Sequence, residues 1–310
     1  MKRILSLAGV LLFVVIIVSA GPREIAGVFR NARPMPFVVA LLLGVAMAIA
    51  KSWRWKMLLD HADLPTPLFT ALRYFLVGNF LGLATPGRVG DFAKSLYFAG
   101  RGANSFARAT ATVFVDRVLD MLVLVVLSSA VFLHHREQLI ALPFVCAALV
   151  FILIAAKRRA GERILRRVFE RMSPGEHRAR VGDEFAAFYA QVSHLVSRSR
   201  LAAPLLLALL AYALMIIAVT RLADGLRLEL PLAFVASSML LSIFASLVPV
   251  SIGGLGSREA VLIACFAQRG LPAEAAVSLS LAMFAVFYLT SAAAGAILWQ
   301  RKPIPLPSLR

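Results

Sequence analysis

Three charged residues stand within five positions of one another in an otherwise apolar stretch. Asp116 and Asp120 are four residues apart and Arg117 precedes Asp120 by three, so one helix face would carry both carboxylates and Arg117 could pair with Asp120. A charge at the centre of a membrane helix costs about 2.5–3.5 kcal/mol, and unpaired charges are therefore rare there. Two interpretations fit: a structural ion pair near the membrane surface, or a polar wall for a headgroup with protonatable carboxylates.

Two glycine-rich breaks have the composition of anion sites. They read Pro86-Gly87-Arg88-Val89-Gly90-Asp91 and Ser251-Ile252-Gly253-Gly254-Leu255-Gly256-Ser257-Arg258-Glu259. Each precedes a predicted helix start, where unpaired backbone N–H groups and the helix dipole favour an anion. Glycines let a phosphate approach the backbone, and Arg88 and Arg258 would add bidentate contacts.

The acidic residues beside these arginines have two interpretations. In the first turn of a helix, Asp91 and Glu259 would stabilise the helix start. Alternatively they would couple ions or contact a headgroup amine. Asn79 is predicted to satisfy backbone groups left unpaired by the first break. The predicted substrate-binding residues are Asn79, Pro86, Gly87, Arg88, Gly90, Asp91, Asp116, Arg117, Asp120, Ser251, Gly253, Gly254, Gly256, Arg258 and Glu259.

The sequence contains no pattern that proposes an enzyme or a metal centre. The glycine-rich breaks lack the Lys-Ser/Thr pair of a nucleotide-binding loop, and His-Glu-x-x-His and Gly-x-Ser-x-Gly motifs do not occur. His134 and His135 are adjacent rather than four residues apart, and Cys146 and Cys265 are too few for a disulfide framework or a thiolate metal site. We expect no catalytic residue, no cofactor and no metal.

The composition is that of a membrane protein. Of 310 residues, 60% are hydrophobic and 16% are charged, and the mean hydropathy is +0.83. Soluble domains are about 45–50% apolar and about 25% charged. The net charge of +17 would suggest nucleic acid for a soluble protein, but here most basic residues lie between long apolar runs. We interpret them as loops that face anionic lipid headgroups, and we expect no nucleic-acid partner.

Six apolar runs are long enough to cross a membrane. They cover about residues 4–20, 34–50, 111–133, 139–156, 201–220 and 275–300. The first run resembles a secretory signal because Ser19-Ala20-Gly21 follows it, but in a multispanning chain we expect it to be kept as a helix. The predicted fold class is an all-α polytopic integral membrane protein, a single domain over residues 1–310.

Segments 68–108 and 230–269 differ from these runs, because each has an apolar half, a Pro/Gly-rich break and a second half that begins with a charge. Proline and glycine end helices, and non-helical backbone at membrane depth is tolerated only inside protein or beside a polar cavity. Both segments are predicted to be re-entrant helical hairpins. With a cytoplasmic amino terminus, favoured by the distribution of basic residues, they enter from opposite faces as an inverted repeat would. The alternative is a coincidence of two glycine-rich turns.

A basic segment over 157–200 separates the fourth and fifth predicted spans. Apolar residues recur at helical spacing on both sides of the break at Ser173-Pro174-Gly175. The pattern predicts two amphipathic cytoplasmic helices on the inner leaflet, with arginines toward lipid phosphates. Residues 301–310 form a short Pro-rich tail.

Together these motifs resemble the lysylphosphatidylglycerol synthase transmembrane-region family, the flippase-like domain of the multiple peptide resistance factor. The resemblance is carried by Arg54-Trp55, by Asn79 with the first break, by the Asp116–Asp120 group and by the second break, and it spans nearly the whole chain. It implies an integral protein of the bacterial inner membrane that moves or handles polar lipids. Because the sequence ends at Arg310, we expect a stand-alone member without the soluble transferase domain and without synthase activity.

The predicted function is that of a lipid flippase or transporter for a polar or anionic headgroup, on a phospholipid or a polyprenyl-phosphate-linked lipid. Arg88, Arg258 and the glycine-rich breaks would hold phosphate. Asp116, Asp120 and Glu259 would meet amines or protons. The alternative is a non-catalytic accessory or scaffold partner of an envelope-lipid enzyme. The expected partners are membrane lipids and, in the alternative, that separate biosynthetic enzyme.

Overall fold

The fold is helical throughout the part of the chain that the structure describes. The structure is a computed structural model, and it describes residues 17–19, 21–83, 85, 88–102, 104–132, 178–196, 198–247, 256–301 and 303–304. The helices in these ranges are α1 (Pro22–Arg30), α2 (Pro34–Asp60), α3 (Leu68–Leu83), α4 (Val89–Phe98), α5 (Ser105–Phe132), α6 (Arg178–Leu195), α7 (Arg198–Gly225), α8 (Leu232–Leu247), α9 (Ser257–Ala267) and α10 (Ala273–Arg301). The predicted all-α class is confirmed for these residues.

Three of the described helices are long and apolar enough to cross a membrane. They are α2, residues Arg200–Gly225 of α7, and α10, with 27, 26 and 29 residues. At 1.5 Å per residue each is about 40 Å long, more than the ~30 Å hydrocarbon core of a bilayer. The predicted spans 34–50, 201–220 and 275–300 are thereby confirmed as long apolar helices.

The other predicted spans have different outcomes. Residues 111–133 fall mostly within α5, a helix of 28 residues that carries Asp116, Arg117 and Asp120 near its middle. Because of these charges, α5 is not among the three helices that are apolar enough to cross a membrane. Span 139–156 lies outside the described residues, as does span 4–20 except for a helical stretch at residues 17–19.

The first predicted hairpin is broken where the sequence suggests. Helix α3 ends at Leu83, and α4 begins at Val89 and runs back along it as a 3₁₀ helix. The rings of Tyr74 and Tyr97 stack with centroids 3.9 Å apart near the open end, while Gly82 faces Asp91 near the break. The two arms, which we call the first hairpin, are therefore antiparallel.

The second predicted hairpin is also interrupted. Helix α8 ends at Leu247 and α9 begins at Ser257. The rings of Phe234, near the start of α8, and Phe266, near the end of α9, lie 5.4 Å apart. This contact makes the arms of the second hairpin antiparallel as well. Residues 248–255, which contain most of the glycine-rich break, are outside the described residues.

Two runs of elements match in order and in length. The run α2–α3–α4–α5 has helices of 27, 16, 10 and 28 residues, and the run α7–α8–α9–α10 has 28, 16, 11 and 29. The first members pack antiparallel, since the N–H of Arg33 donates to the carbonyl of Gly225 at 2.8 Å. Helix α3 packs against α10, and in the same way α8 packs against α5.

Helix α6 lies in the second half of segment 157–200, which the sequence predicts to be amphipathic. Its residues Phe185, Val192 and Leu195 are buried, and the ring of Phe188 lies 5.8 Å from that of Phe114 in α5. The apolar side of α6 therefore packs against α5 of the same chain. The placement of segment 157–200 on the inner leaflet stays a prediction, and its first half lies outside the described residues.

Candidate functional site

A buried guanidinium joins α2 to the charged face of α5. The Nε of Arg54 donates to Oδ1 of Asp116 at 2.8 Å, and its Nη1 donates to Oδ1 of Asp120 at 2.7 Å. Arg54 and Asp116 are fully buried. Because a buried ion is stable only when it is paired and hydrogen-bonded, these contacts fix the two helices against each other.

Lys94 of α4 adds a second cation beside Asp116. Its Nζ lies 3.5 Å from Oδ2 of Asp116 and 4.3 Å from the centre of the Trp55 ring, and the side chain is buried. The indole N–H of Trp55 donates to the hydroxyl of Thr112 at 3.0 Å. A cation over an indole face is stabilised electrostatically. Lys94 thus ties the first hairpin to α2 and α5.

Arg117 and Arg88 share one carboxylate at the break of the first hairpin. Oδ2 of Asp91 lies 3.1 Å from Nη2 of Arg117 and 3.2 Å from Nε of Arg88. Nη2 of Arg88 donates to Oδ1 of Asn79 at 3.1 Å. The predicted pair of Arg117 with Asp120 is present at 3.7 Å. Asp91 therefore contacts cations rather than only stabilising the start of its helix.

The backbone of Arg88 has an uncommon conformation. Its φ is 56° and its ψ is 30°, in the left-handed region. For a residue with a Cβ this region costs roughly 1–2 kcal/mol, and such residues cluster at functional sites. An arginine in this position turns its guanidinium back toward Asn79 and Asp91.

A basic cavity lies between the two runs of helices. Its volume is about 70 Å³. Three basic side chains line it, Lys51, Arg88 and Arg117, and no carboxylate does so among the described residues. The remaining lining residues are Met47, Ala48, Phe75, Asn79, Leu83, Met215, Phe287, Tyr288 and Ser291. Positive groups with amide and hydroxyl donors on an apolar wall suit an anionic group with an apolar attachment.

In the second hairpin, Arg258 and Glu259 form a buried ion pair, which we call the closed pair. Nη2 of Arg258 donates to Oε1 of Glu259 at 2.8 Å, and its Nε donates to the hydroxyl of Ser280 at 2.8 Å. That hydroxyl in turn donates to the same Oε1 at 2.6 Å. The backbone N–H of Gly256 donates to Oε2 of Glu259 at 2.6 Å, so the carboxylate stabilises the start of α9. Arg258 and Glu259 are both buried and do not line the cavity.

Tyr288 connects the two hairpins. The guanidinium carbon of Arg88 lies 5.7 Å from the centre of its ring, and that of Arg258 lies 5.4 Å from the same centre. Tyr288 belongs to a π-helical segment of α10, Phe284–Leu289. Segments of this kind occur mostly as single turns at functional sites. The two predicted arginines are therefore brought to one aromatic ring.

The glycines at the breaks have visible packing and backbone roles. A Cβ at Gly90 would overlap the carbonyl of Leu81, so α4 approaches α3 closely only with glycine there. Gly256 has a φ of 88°, which favours glycine. Their roles in phosphate binding stay predictions. Five predicted site residues lie outside the described residues: Pro86, Gly87, Ser251, Gly253 and Gly254.

Four residues of the site, Lys51, Arg54, Lys94 and Tyr288, are absent from the predicted set of substrate-binding residues. Lys51 and Arg54 follow the end of the predicted span 34–50, although α2 continues to Asp60. Arg54 was noted only as part of the family resemblance. Lys94 and Tyr288 lie in apolar stretches with no local motif. In the described ranges, no group of three His, Cys, Asp or Glu side chains is arranged to hold a metal ion.

Comparisons with known proteins agree with the membrane fold. The family model described as "Lysylphosphatidylglycerol synthase TM region" matches residues 4–295. The chain is 25% identical to UPF0104 membrane protein PH1989 of Pyrococcus horikoshii, over 90% of this chain and 91% of that protein. It is 23% identical to a UPF0104 membrane protein of Methanothermobacter thermautotrophicus, over 93% of this chain and 92% of that protein. The family match includes both hairpins and every residue that lines the cavity.

Proposed function

The chain belongs to the lysylphosphatidylglycerol synthase TM-region family, and we propose that this multi-pass membrane protein moves lipids with an anionic headgroup across the bilayer. The headgroup would enter the basic cavity while its tails stay among the apolar helices. The proposal covers the lipid flippase or transporter function that the sequence suggests. It does not extend to synthesis of the lipid, since it assigns no reacting group.

The lining of the cavity is the single observation that carries this proposal. Lys51, Arg88 and Arg117 line it, and no carboxylate does so among the described residues. Positive charge in a poorly hydrated space is costly unless an anion neutralises it. The phosphate of a lipid supplies that charge and accepts hydrogen bonds from guanidinium groups in bidentate geometry. The cavity therefore favours a phosphate over the amine of a headgroup.

An inverted repeat would place this cavity at the repeat interface. The matching lengths of α2–α5 and α7–α10, the antiparallel packing of α2 on α7, and the paired packing of α3 on α10 and α8 on α5 support such a repeat. In inverted-repeat transporters the substrate binds near mid-membrane between the repeats, and broken helices form the site. The two hairpins would then enter from opposite faces of the membrane.

In this arrangement the candidate residues have different roles. Arg88 and Arg117 would bind the phosphate, and Asn79 would hold the Arg88 guanidinium in place. Asp91 would position both arginines rather than meet a headgroup amine. Arg258 would act through the ring of Tyr288 from the second hairpin.

Orientation in the membrane follows the distribution of basic residues. The amino terminus would lie in the cytoplasm, because this orientation leaves most basic residues outside the predicted spans on the cytoplasmic side. The inner membrane of a bacterium is proposed from the family resemblance alone. Six spanning helices with two re-entrant hairpins are consistent with that orientation. Reactivity of single cysteines introduced into the predicted loops toward an impermeant reagent tests it.

Reconstitution tests the transport function directly. Purified protein in liposomes is expected to accelerate translocation of a fluorescent phosphatidylglycerol over protein-free liposomes, and Arg88→Ala is expected to abolish the acceleration. Arg221→Ala is a matched control, because Arg221 also forms an i,i+3 pair at 3.2 Å, with Asp224, and neither residue lines the cavity. Unchanged rates in Arg88→Ala would contradict the role of Arg88. Tight lipid binding without any acceleration by the wild type would favour the accessory or scaffold function instead.

A further inference from the structure

The cavity belongs to a larger network of charges that is not neutral. The network consists of the ionisable side chains that line the cavity or that are joined to those lining it through ion pairs within 4.0 Å. Its basic members are Lys51, Arg54, Arg88, Lys94 and Arg117. Its acidic members are Asp91, Asp116 and Asp120. Five basic groups against three carboxylates leave an excess of two positive charges among the described residues.

The second hairpin does not change this balance. Arg258 and Glu259 form a neutral pair of their own, and Ser280 bonds to both. The excess therefore belongs to the first hairpin and its neighbours, and it faces the cavity through Lys51, Arg88 and Arg117.

Two of these cations are incompletely satisfied by the described part of the chain. The Nε atoms of Arg88 and Arg117 are buried and make no hydrogen bond there; that of Arg88 lies 3.2 Å from Oδ2 of Asp91, an oxygen that also makes none, so Arg117 Nε is the donor with no acceptor beside it. Buried donors without acceptors are destabilising, and a ligand that accepts from them removes that penalty. An anion with several acceptor oxygens fits this requirement better than one with a single exposed oxygen.

On the basis of the proposed function, we infer that the cavity binds the terminal phosphomonoester of a lipid in preference to a phosphodiester. A phosphomonoester carries about −1.5 to −2 charges at neutral pH and offers three terminal acceptor oxygens. A phosphodiester such as the headgroup link of phosphatidylglycerol carries a single negative charge and offers two. Only the phosphomonoester balances the excess of two positive charges.

The size of the cavity agrees with a small terminal group. One water needs about 10–15 Å³ of such volume, so 70 Å³ holds about five water-sized groups. A phosphate has five heavy atoms.

Competition between two lipids with identical tails tests the inference. Native mass spectrometry of the full-length protein in detergent measures its affinity for dioleoyl phosphatidic acid, a phosphomonoester, and for dioleoyl phosphatidylglycerol, a phosphodiester. We expect phosphatidic acid to bind about tenfold more tightly at pH 7, as one additional charge-assisted contact predicts. Dioleoyl phosphatidylcholine, which has no net charge, is expected to bind least.

Lowering the pH provides a second measurement that needs no variant. The second pKa of a phosphomonoester is about 6, so phosphatidic acid loses most of one negative charge between pH 7 and pH 5. Phosphatidylglycerol keeps its charge, and lysines and arginines can only gain protons. The tenfold preference should therefore fall to about one at pH 5. A preference that persists unchanged at pH 5 overturns the inference.

A matched pair of variants tests the count of charges. Lys51→Gln leaves an excess of one charge, and it is expected to reduce the preference for phosphatidic acid to about twofold or less. Lys56→Gln is the control, because Lys56 lies on the same helix, outside the cavity lining, and pairs with Asp60 at 2.5 Å. A tenfold preference retained in Lys51→Gln overturns the inference, and so does its loss in Lys56→Gln.

The outcomes separate this inference from the proposed function. Suppose that phosphatidic acid and phosphatidylglycerol bind with equal affinity, both well above phosphatidylcholine. This result overturns the preference for a phosphomonoester but agrees with the proposed function for anionic lipids. Equal affinity for all three lipids overturns both. Inorganic phosphate is expected to compete only at more than a hundredfold excess. Competition at equal concentration identifies free phosphate as the ligand and also overturns both.

Discussion

The two hairpins share a shape but differ in how their arginines are used. In the first hairpin the Arg88 side chain is 30% exposed, lines a cavity, and shares Asp91 with Arg117. In the second, Arg258 is 1% exposed and closed onto Glu259 and Ser280. Both guanidinium groups nevertheless contact Tyr288. The arginine of the first hairpin thus lines the cavity, whereas the arginine of the second hairpin is buried in an ion pair.

This difference indicates that matching elements in the two runs need not have the same role. In the neutral pair of the second hairpin, Glu259 accepts the hydrogen bond of the Gly256 N–H at the start of α9, and Arg258 lies over the ring of Tyr288. The first hairpin carries the excess charge that a ligand would neutralise. Loss of a charged side chain in the second hairpin should therefore affect stability first, and loss of one in the first hairpin should affect binding first.

The largest effect is expected from the closed pair. Glu259→Ala leaves Arg258 buried without its carboxylate and removes the acceptor for the Gly256 N–H. Breaking a buried pair in this way costs about 3–5 kcal/mol. Denaturant titration in detergent micelles measures this loss in the free energy of unfolding.

Glu229→Ala is the control for this change, since Glu229 is exposed and should alter the free energy of unfolding by less than about 0.5 kcal/mol. A loss below about 1 kcal/mol in Glu259→Ala would mean that the pair is not a structural one.

The next largest effect is expected on ligand binding through the first hairpin. Arg88→Ala should weaken the binding of dioleoyl phosphatidic acid about ten- to a hundredfold, because a charge-assisted hydrogen bond contributes about 1.5–3 kcal/mol. Its effect on unfolding should stay below about 1 kcal/mol, since partly exposed ion pairs contribute little. Native mass spectrometry and denaturant titration on the same sample separate the two. A large stability loss with unchanged affinity would reverse the proposed division between the hairpins.

The glycines of the two hairpins should differ in a smaller way. Gly90→Ala places a Cβ against the carbonyl of Leu81, and backbone cannot move aside easily, so we expect a loss of about 2–3 kcal/mol. Gly256→Ala puts a residue with a Cβ at a positive φ, which costs about 1–2 kcal/mol. Gly27→Ala, at an open helical position, should be neutral or slightly stabilising. Thermal unfolding in detergent ranks the three, and the opposite order for the first two contradicts the packing described for the first hairpin.

The smallest effect is expected at the shared ring. Tyr288→Leu removes the aromatic face beneath both arginines and should weaken phosphatidic acid binding about two- to fivefold, as the loss of about 0.5–1 kcal/mol predicts. Tyr288→Phe keeps the ring and should bind as the wild type does. Phe284→Leu removes the contact with Arg258 and the stacking on the Tyr288 ring, 5.9 Å between centroids, but it keeps the ring beside Arg88, so it should reduce affinity less than Tyr288→Leu does. Equal effects of Tyr288→Leu and Phe284→Leu on affinity would remove the ring from the binding site.

Local patterns in the sequence were sufficient for the breaks and the long apolar helices. Glycine and proline act on the backbone where they stand, so the end of α3 near residue 83 could be predicted. The three longest apolar runs could be predicted because helix length follows membrane thickness. The pair of Arg117 with Asp120 could be predicted because it lies within one helix turn.

The rest of the site depends on pairings that no local pattern encodes. Arg54 pairs with Asp116 across 62 positions of sequence, and Tyr288 lies 200 positions from Arg88. The predicted span ended before Lys51 because a charge usually marks the membrane surface. Helix α2 continues past it because Arg54 finds its carboxylates inside the protein. Helix α4 is 3₁₀, which the sequence analysis did not predict, and we have no physical account of that choice.

The most direct test is an experimental structure of the full-length protein in lipid nanodiscs that contain dioleoyl phosphatidic acid. The account predicts density for a phosphate in the cavity, with oxygens at hydrogen-bond distance, about 2.7–3.0 Å, from Arg88, Arg117 and Lys51, and with the acyl chains leading toward the apolar helices. Density for the phosphate at Arg258, or only on the outer surface with the cavity empty, would contradict it.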